Sequence, residues 1–554
     1  MILRPYQKIA FDAVIESLNE HPSTLVVMPT GTGKTVLFAM LAQHYKQFGR
    51  VKVIAHRDEL IRQAAEKIKT ITGEAPDIEM NVERADEHFF DRSKVIVGSV
   101  QTLCAGRVNR FDPKAFSLLI TDEAHHATAS SYRKVYKHML SAGCKHLGVT
   151  ATPDRSDEEA LGQIFGNVAY VYEIQDAIKD GWLVPIRQHL VPVEGLDYSG
   201  AKTTAGDLNQ GDIAKAQASE KVLHGFVDPI IREAGTRKTL VFAAPGSAKG
   251  EGEDYHIAER MTEIFNRYKP GSAHRVSQDT HKEDRRQILA DFRAGKFQFL
   301  INVGVFTEGF DEPGIEVVAI TRPTKSRSLY AQMVGRGTRP LPGLVDQWPE
   351  PGQRRDAIHG SPKPHIEVLD FVGNSGKHKL VTTADILGGK YSDEVVARAK
   401  KKAEKGAVDM SVALEESLQE IHAQKERARK KREAVAAKAT YRLQAVDPFE
   451  VFDVEPNRIA GWDKGQWASP KQVALLRQFK VDIPPDLTKG RAGQLIDQCY
   501  QRKAQGKASY AQAKALRERG LPSNMTAGEA AIRLGDSGKF AKWNQMMQER
   551  MSKV

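Results

Sequence analysis

Short apolar runs set the rhythm of the first third of the chain. "TLVVMP", "VKVIAH", "KVIVGS", "FSLLIT" and "HLGVTAT" alternate with helical patterns, and each ends in turn or polar residues. Uninterrupted β-rich runs predict strands buried between two helical layers, which means a parallel α/β sheet. The rhythm lapses over a polar, glycine-containing stretch around 194–220. It resumes with "TLVFAAP", "FQFLINVG", "VVAITRP" and "IEVLDFVG". The expectation is an α/β protein with two tandem parallel-sheet domains, residues 1–185 and 233–390, joined by a linker or insertion at 186–232. Residues 341–365, rich in Pro and Gly, read as a surface excursion.

Strand formers become scarce near Tyr391. Residues 391–445 read as long, charged helix, and across 421–442 eight cations stand against two acids. Such a run is either a solvated helix face or a contact for phosphate. The region 446–554 reads as mainly helical and contains a repeat. "ASPKQVALLRQFKVDIPPDLTKGRAGQLI" (468–496) matches "ASYAQAKALRERGLPSNMTAGEAAIRL" (508–534) once two residues are dropped. Thr488 and Thr526 sit where an N-cap would open a second short helix in each copy.

Composition narrows the class. At roughly 150 residues per domain, 554 residues suggest three or four domains. With 41% hydrophobic and 27% charged residues, the chain reads as a soluble globular protein. No run approaches the ~20 apolar residues of a membrane span, and "MILRPYQKIAFDAV" lacks a signal-peptide core. Cys104, Cys144 and Cys499 form no C-x-x-C pair, so a zinc ribbon and a disulfide framework are both disfavoured and a reducing compartment fits. A formal charge of +11 favours a polyanionic partner.

The candidate chemistry begins at "MPTGTGKT", Met28 to Thr35, between a strand and a helical pattern. That context suits a phosphate-binding loop. Thr30, Gly31, Thr32 and Gly33 would offer backbone N–H groups, Lys34 would reach the β/γ oxygens, and Thr35 would ligate Mg²⁺. A second cluster, "LLITDEAHHAT", sets two acids against two histidines. On its own it could bind a metal, act as an acid/base pair or hydrolyse a nucleotide. As a zinc site it is poor, since H-E-x-x-H is absent. Beside the loop, Asp122 reads as the acid holding Mg²⁺ and Glu123 as the group that orients and deprotonates water. His125 reads as a coupler and His126 as a plain surface histidine.

Together "MPTGTGKT" and "TDEAHH" resemble motifs I and II of the superfamily 2 helicases, with a DEAH-box signature, and the remaining motifs follow in order. "LRPYQ" resembles the Q motif, which implies Arg4 and Gln7 at an adenine base. "AHRDELIRQ" and "GSVQTL" resemble motifs Ia and Ib, implying His56, Arg57, Ser99, Gln101 and Thr102 on a nucleic-acid backbone. "GVTATP" resembles motif III, implying that Thr150 and Thr152 link hydrolysis to movement and contact the nucleic acid. "LVFAAP" resembles motif IV. "NVGVFTEGFDEP" resembles motif V, implying Thr307 at the strand and Gly309 and Asp311 at the nucleotide. "QMVGRGTRP" is similar to motif VI, implying Arg336 and Arg339 as arginine fingers and Gln332 as the partner of His125 across the cleft.

The resemblance covers about residues 1–340 and implies two RecA-like domains with ATP and Mg²⁺ between them. Its wording is closest to the DNA-directed group that includes XPB, UvsW, type I restriction motor subunits, RadD and phage-encoded helicases. The expectation is a DNA-dependent ATPase that translocates on or remodels branched, forked or replicating DNA in the cytoplasm of a bacterial or phage-infected cell. The C-terminal repeats would offer a surface to a protein partner. The alternatives are an ATP-gated clamp or recruitment factor with little unwinding, and the motor of a restriction complex.

Overall fold

The computed structural model describes residues 3–85, 93–151, 155–204, 206–249, 254–305, 310–375, 380–389, 391–436, 447–459 and 461–534. The chain divides into two units, one holding residues 1–389 and 393–422, the other mainly 423–554.

The first unit contains two sheets. β1 (Ser23–Val27), β2 (Arg50–Ala55), β3 (Asp77–Glu79), β4 (Val95–Ser99), β5 (Phe116–Asp122), β6 (Lys145–Thr150) and β7 (Val168–Val171) form the first, in the order β3-β4-β2-β5-β6-β1-β7. All six pairings are parallel. The central strands are the apolar runs legible in the sequence. Leu25, Val53, Ile120 and Leu147 are wholly buried, because helices cover both faces of a parallel sheet. α1 (Pro5–Glu20), α2 (Lys34–Tyr45), α3 (Asp58–Thr72) and the short α4 (Val100–Cys104) are among those helices.

The second sheet begins earlier in the chain than its apolar runs suggest. β8 (Ile186–Asp197) falls in the segment expected to be linker, yet pairs in parallel with the last long strand of this sheet. A small hairpin, β9 (Thr203–Thr204) and β10 (Asp207–Leu208), follows. Then come β11 (Thr239–Phe242), a second hairpin of β12 (Ser247–Lys249) and β13 (Asp254–His256), β14 (Ala273–Val276), β15 (Phe299–Asn302), β16 (Val317–Ile320), β17 (Ile366–Asn374) and β18 (Val408–Asp409). The order is β14-β15-β11-β16-β17-β8-β18, parallel except for β18 against β8. β8 escaped the apolar pattern because its burial is broken along its length, with Glu194 and Gly195 exposed. The helix Glu220–Ala234, also in the expected linker, buries Phe226, Val227 and Ile230 in one core with Val241, Ile301, Ala319 and Leu369.

Beyond β18 a 27-residue helix runs from Met410 to Ala436, where long helix is expected; Lys438 and Arg442 lie outside the described residues. In the second unit the repeat is real in three dimensions. Ala468 N–H donates to the Leu487 carbonyl and Ala508 N–H to that of Met525, both at 2.9 Å. Ser469 with Gln472 and Ser509 with Gln512 form matching capping boxes. The copies differ at the second helix. Thr526 caps with its hydroxyl, whereas Thr488 makes no side-chain cap and Asp463 receives the Gly490 N–H instead, at 3.0 and 3.1 Å.

Candidate active site

Parallel pairing puts every strand's C-terminal end on the same edge. The register aligns Val27 with Thr150, Asp122 with Val149 and Ala55 with Ser99. The loops that carry the expected motifs therefore meet along one rim of the first sheet, where open α/β sheets take their ligands.

On that rim the phosphate loop is held from behind. Gly31 and Gly33 have φ of 89° and 79°, a region closed to most side chains. Thr32 is buried. Its hydroxyl donates to the Pro29 carbonyl at 2.7 Å, and its own carbonyl receives Tyr6 Oη at 2.8 Å and Gln7 Nε2 at 2.9 Å. A Cβ on Gly33 would stand 2.5 Å from Gln7 Nε2. The Gln7 amide thus braces the loop, with Oε1 accepting from Arg4 N–H at 3.0 Å, where the sequence points to a base contact. Arg4 pairs with Asp346 at 2.8 Å and stacks over Trp182 at 4.6 Å. Gly33 is the N-cap of α2 and offers no side-chain cap, so the first N–H groups of the helix are not spent on a capping side chain. Lys34 Nζ donates to the Met28 carbonyl at 3.3 Å.

Asp122 and Glu123 are both buried at the end of β5. Glu123 adopts φ 46°, ψ 54°, a left-handed conformation that costs a non-glycine residue about 1–3 kcal/mol. Asp122 Oδ1 offsets part of that cost by accepting the Glu123 N–H at 2.9 Å. His125 Nδ1 lies 3.4 Å from Glu123 Oε2 and 3.1 Å from Thr150 Oγ1. Thr150 is fully buried on β6, so its place is behind the acids rather than on a strand-contacting surface, because β6 is central to the sheet.

The second lobe closes over this rim. A Cβ on Gly335 would come within 2.7 Å of Thr30 Cβ, and one on Gly31 within 3.1 Å of Arg339 Cγ. Arg339 pairs with Asp311, and burial together with the nearby Arg4 lowers its guanidinium to about 10. Arg336 Nη1 donates to the Phe310 carbonyl at 2.6 Å. Gln332 is buried on the same helix, Arg327–Gly335. Lys363, in the expected surface excursion, is 2% exposed. Its Nζ donates to the carbonyls of Pro313 at 2.7 Å and Arg339 at 2.8 Å, and burial lowers the ammonium to about 7.

A second group of residues lies along the same rim. Gln101 Nε2 donates to the His56 carbonyl at 2.8 Å, and Ser99 Oγ donates to Gln101 Oε1 at 2.8 Å. Thr102 Oγ1 accepts the Asn81 N–H at 3.3 Å. Arg57 reaches across to the carbonyls of Gly304 and Val305 at 3.5 and 3.4 Å. A cavity of about 560 Å³ opens there, lined by Arg57, Arg275, Arg322, Ser277 and Gln278 among others. Thr152, Thr307 and Gly309 lie outside the described residues.

Known proteins resemble this chain in sequence. Residues 1–155 match the family model for the type III restriction enzyme res subunit, and residues 222–340 match the helicase conserved C-terminal domain. Over 411 residues the chain is 31% identical to IRC3 of Saccharomyces cerevisiae, which carries an ATP-dependent helicase name; the match covers 71% of this chain and 54% of that one. The chain belongs to the superfamily 2 helicases. It is also 24% identical to the DNA 3'-5' translocase XPB2 of Sulfurisphaera tokodaii, covering 60% of this chain and 78% of XPB2. Among solved structures, a fragment of an HsdR subunit of a type I restriction enzyme from Vibrio vulnificus aligns with a TM-score of 0.49 at 22% identity, over 68% of this chain and 65% of that one. The chain spans about half the length of its yeast relatives. Among the described residues no helix is long and apolar enough to cross a membrane.

Within this superfamily 2 frame, sequence reading missed the braces. Tyr6 is visible in "LRPYQ", but nothing local says that its hydroxyl supports Thr32. Lys363 sits in a Pro- and Gly-rich stretch with no periodicity, and its burial depends on a fold through the whole second lobe. Asp346 carries no signal in the sequence as the partner of Arg4, 342 residues away.

Proposed function

We propose that this superfamily 2 chain is a DNA-stimulated ATPase that uses hydrolysis between its two sheets to translocate along, or remodel, DNA. One observation carries the reading: Gly335 and Arg339 of the second lobe stand directly against Thr30 and Gly31 of the phosphate loop. Phosphoryl transfer depends on positioning and charge stabilisation, and residues supplied from a second lobe make both conditional on closure.

In this reading the uncapped start of α2 and Lys34 bind the phosphates of ATP, with the glycines keeping the cradle open. Thr35 and Asp122 supply a hydroxyl and a carboxylate, hard oxygen donors of the kind Mg²⁺ takes when it keeps several waters and the phosphates of its nucleotide. Bound there, the ion would neutralise charge on the β and γ oxygens. Glu123, fixed by its left-handed turn, orients and deprotonates the attacking water. Arg336 and Arg339 stabilise charge on the transferred group, Asp311 sets the direction of Arg339, and Gln332 with His125 senses the state of the cleft.

His56, Arg57, Ser99, Gln101 and Thr102 would meet the strand at phosphate and sugar, which positions it without reading sequence. The +11 charge and the translocase name of XPB2 support DNA as the polyanion. The test is ATP hydrolysis with single-stranded, duplex, forked and four-way DNA beside RNA, followed by strand displacement on the best activator. Stimulation by at least one DNA, falling steeply between about 50 and 200 mM salt, is the expected result. Equal rates with and without every DNA would end the proposal, and stimulation by RNA alone would move it to another substrate class.

A further inference from the structure

His126 has no part in the chemistry above, yet it stands at the centre of a continuous row of groups. A single 3₁₀ turn, Ala124–His126, follows Glu123, and the His126 N–H donates to the Glu123 carbonyl at 3.0 Å. The catalytic candidate and the second histidine are therefore fixed to one rigid turn. The His126 ring lies 4.1 Å from that of His125, which approaches Glu123 Oε2. On its other side His126 meets the ring of His56 edge-on, at 4.4 Å and 70°. His56 directly follows β2; its Nε2 lies 3.3 Å from Arg57 Nε and its carbonyl holds Gln101. Arg57 in turn reaches the Gly304 and Val305 carbonyls of the second lobe.

We propose that His126 is a positioning residue that couples the hydrolytic turn to the strand grip, by pressing on His56 and so setting the placement of Arg57 and Gln101. The proposal rests on the reading of this chain as a DNA-stimulated ATPase. Its physical basis is packing. Rings at these separations are in contact, and packed groups shift between discrete arrangements rather than deform. Any displacement of the Glu123 turn when water attack is set up must carry the His126 ring with it, and the His56 ring must follow or be overlapped. By linkage the same contact works in reverse, so a strand that moves Arg57 and His56 biases the acid turn. The contact is ring against ring and edge-on, so an aromatic ring at 126 is what the packing requires.

The experiment compares the full-length wild type with His126→Ala and His126→Phe. It reads ATP turnover with and without saturating single-stranded DNA, and the affinity for a labelled oligonucleotide with and without a non-hydrolysable ATP analogue. The wild type is expected to show coupling of roughly 5- to 150-fold in one or both readouts. In His126→Ala basal turnover and nucleotide-free affinity persist while the coupling is lost. His126→Phe restores most of it. If His126→Ala loses its thermal transition, His126→Leu, which keeps bulk without a ring, takes its place. Coupling in the ringless variant equal to wild type overturns the proposal, as does a folded His126→Phe that is equally uncoupled. A wild type that no DNA stimulates removes the function and the relay together, so the two failures are distinguishable.

Discussion

Gly335 of the second lobe packs against Thr30 of the phosphate loop so tightly that a Cβ at 335 would lie 2.7 Å from Thr30 Cβ and 3.2 Å from its Cγ2. The contact joins residues 305 positions apart and sets how near Arg336 and Arg339 come to the loop.

Gly335→Ala should therefore hold the cleft open. Overpacking of this kind costs about 1–3 kcal/mol, and if that falls on the closed state, turnover drops by about 5- to 150-fold. Gly352→Ala, where a Cβ meets nothing within 4 Å, is the control and should leave turnover near wild type. Steady-state kinetics of the pair decides it; equal rates would mean that closure tolerates the methyl.

Lys363 fastens the Arg339 carbonyl to that of Pro313. Lys363→Met keeps the length and removes both hydrogen bonds, leaving Arg339 free to drift. Misplacement by about 1 Å can cost on the order of 10²-fold in rate. The loss should appear in kcat, with KM for ATP little changed, since the loop and Lys34 are untouched. A rise in KM alone would place Lys363 outside the catalytic geometry.

Asp370, buried beneath the helix Arg327–Gly335, accepts Tyr330 Oη at 2.8 Å and Gln188 Nε2 at 3.0 Å. Desolvation raises its carboxyl from 3.8 to about 7. Between those values the folded protein holds a proton that the unfolded chain has released, so this group makes stability fall as pH rises from about 4 to about 7, by up to about 1.4 kcal/mol per pH unit. Asp370→Asn should flatten that part of the pH profile of the melting temperature and gain most, relative to wild type, above pH ~7. An unchanged profile would mean that the carboxyl ionises without penalty.

Lys34→Ala and Glu123→Gln should both abolish hydrolysis, while Glu123→Gln still binds ATP, because the amide keeps the shape and loses the base. Retained turnover in Glu123→Gln would remove the assignment of Glu123. Each finger variant, Arg336→Ala or Arg339→Ala, should lower turnover by about 10³-fold or more.

Deleting 446–554 should leave basal ATP hydrolysis largely intact and alter only the choice of DNA. The second unit has its own core around Phe449, Leu476, Leu495 and Tyr510, separate from the two sheets that carry the candidate active site. Loss of basal hydrolysis in the shortened chain would mean that the tail supports the motor.

What the sequence determined by itself was the centre of each layer and the local turn of the loop at its rim. Leu25, Val53, Ile120 and Leu147 lie on strands covered on both faces, so their apolar runs are unbroken and legible. Gly31, Gly33 and Lys34 are legible too, because a phosphate loop is local, with its geometry written into eight consecutive residues. Edge strands were not legible. β3, β7 and β14 are three or four residues long and partly exposed, and β8 is interrupted by exposed positions, so none shows a clean period. Only the tertiary structure decided which distant groups serve the site. Tyr6 beneath Thr32, Asp346 on Arg4, Lys363 behind Arg339, Gly335 against Thr30 and His126 against His56 are contacts set by how sheets and lobes stack. Local periodicity carries no information about partners tens or hundreds of residues away.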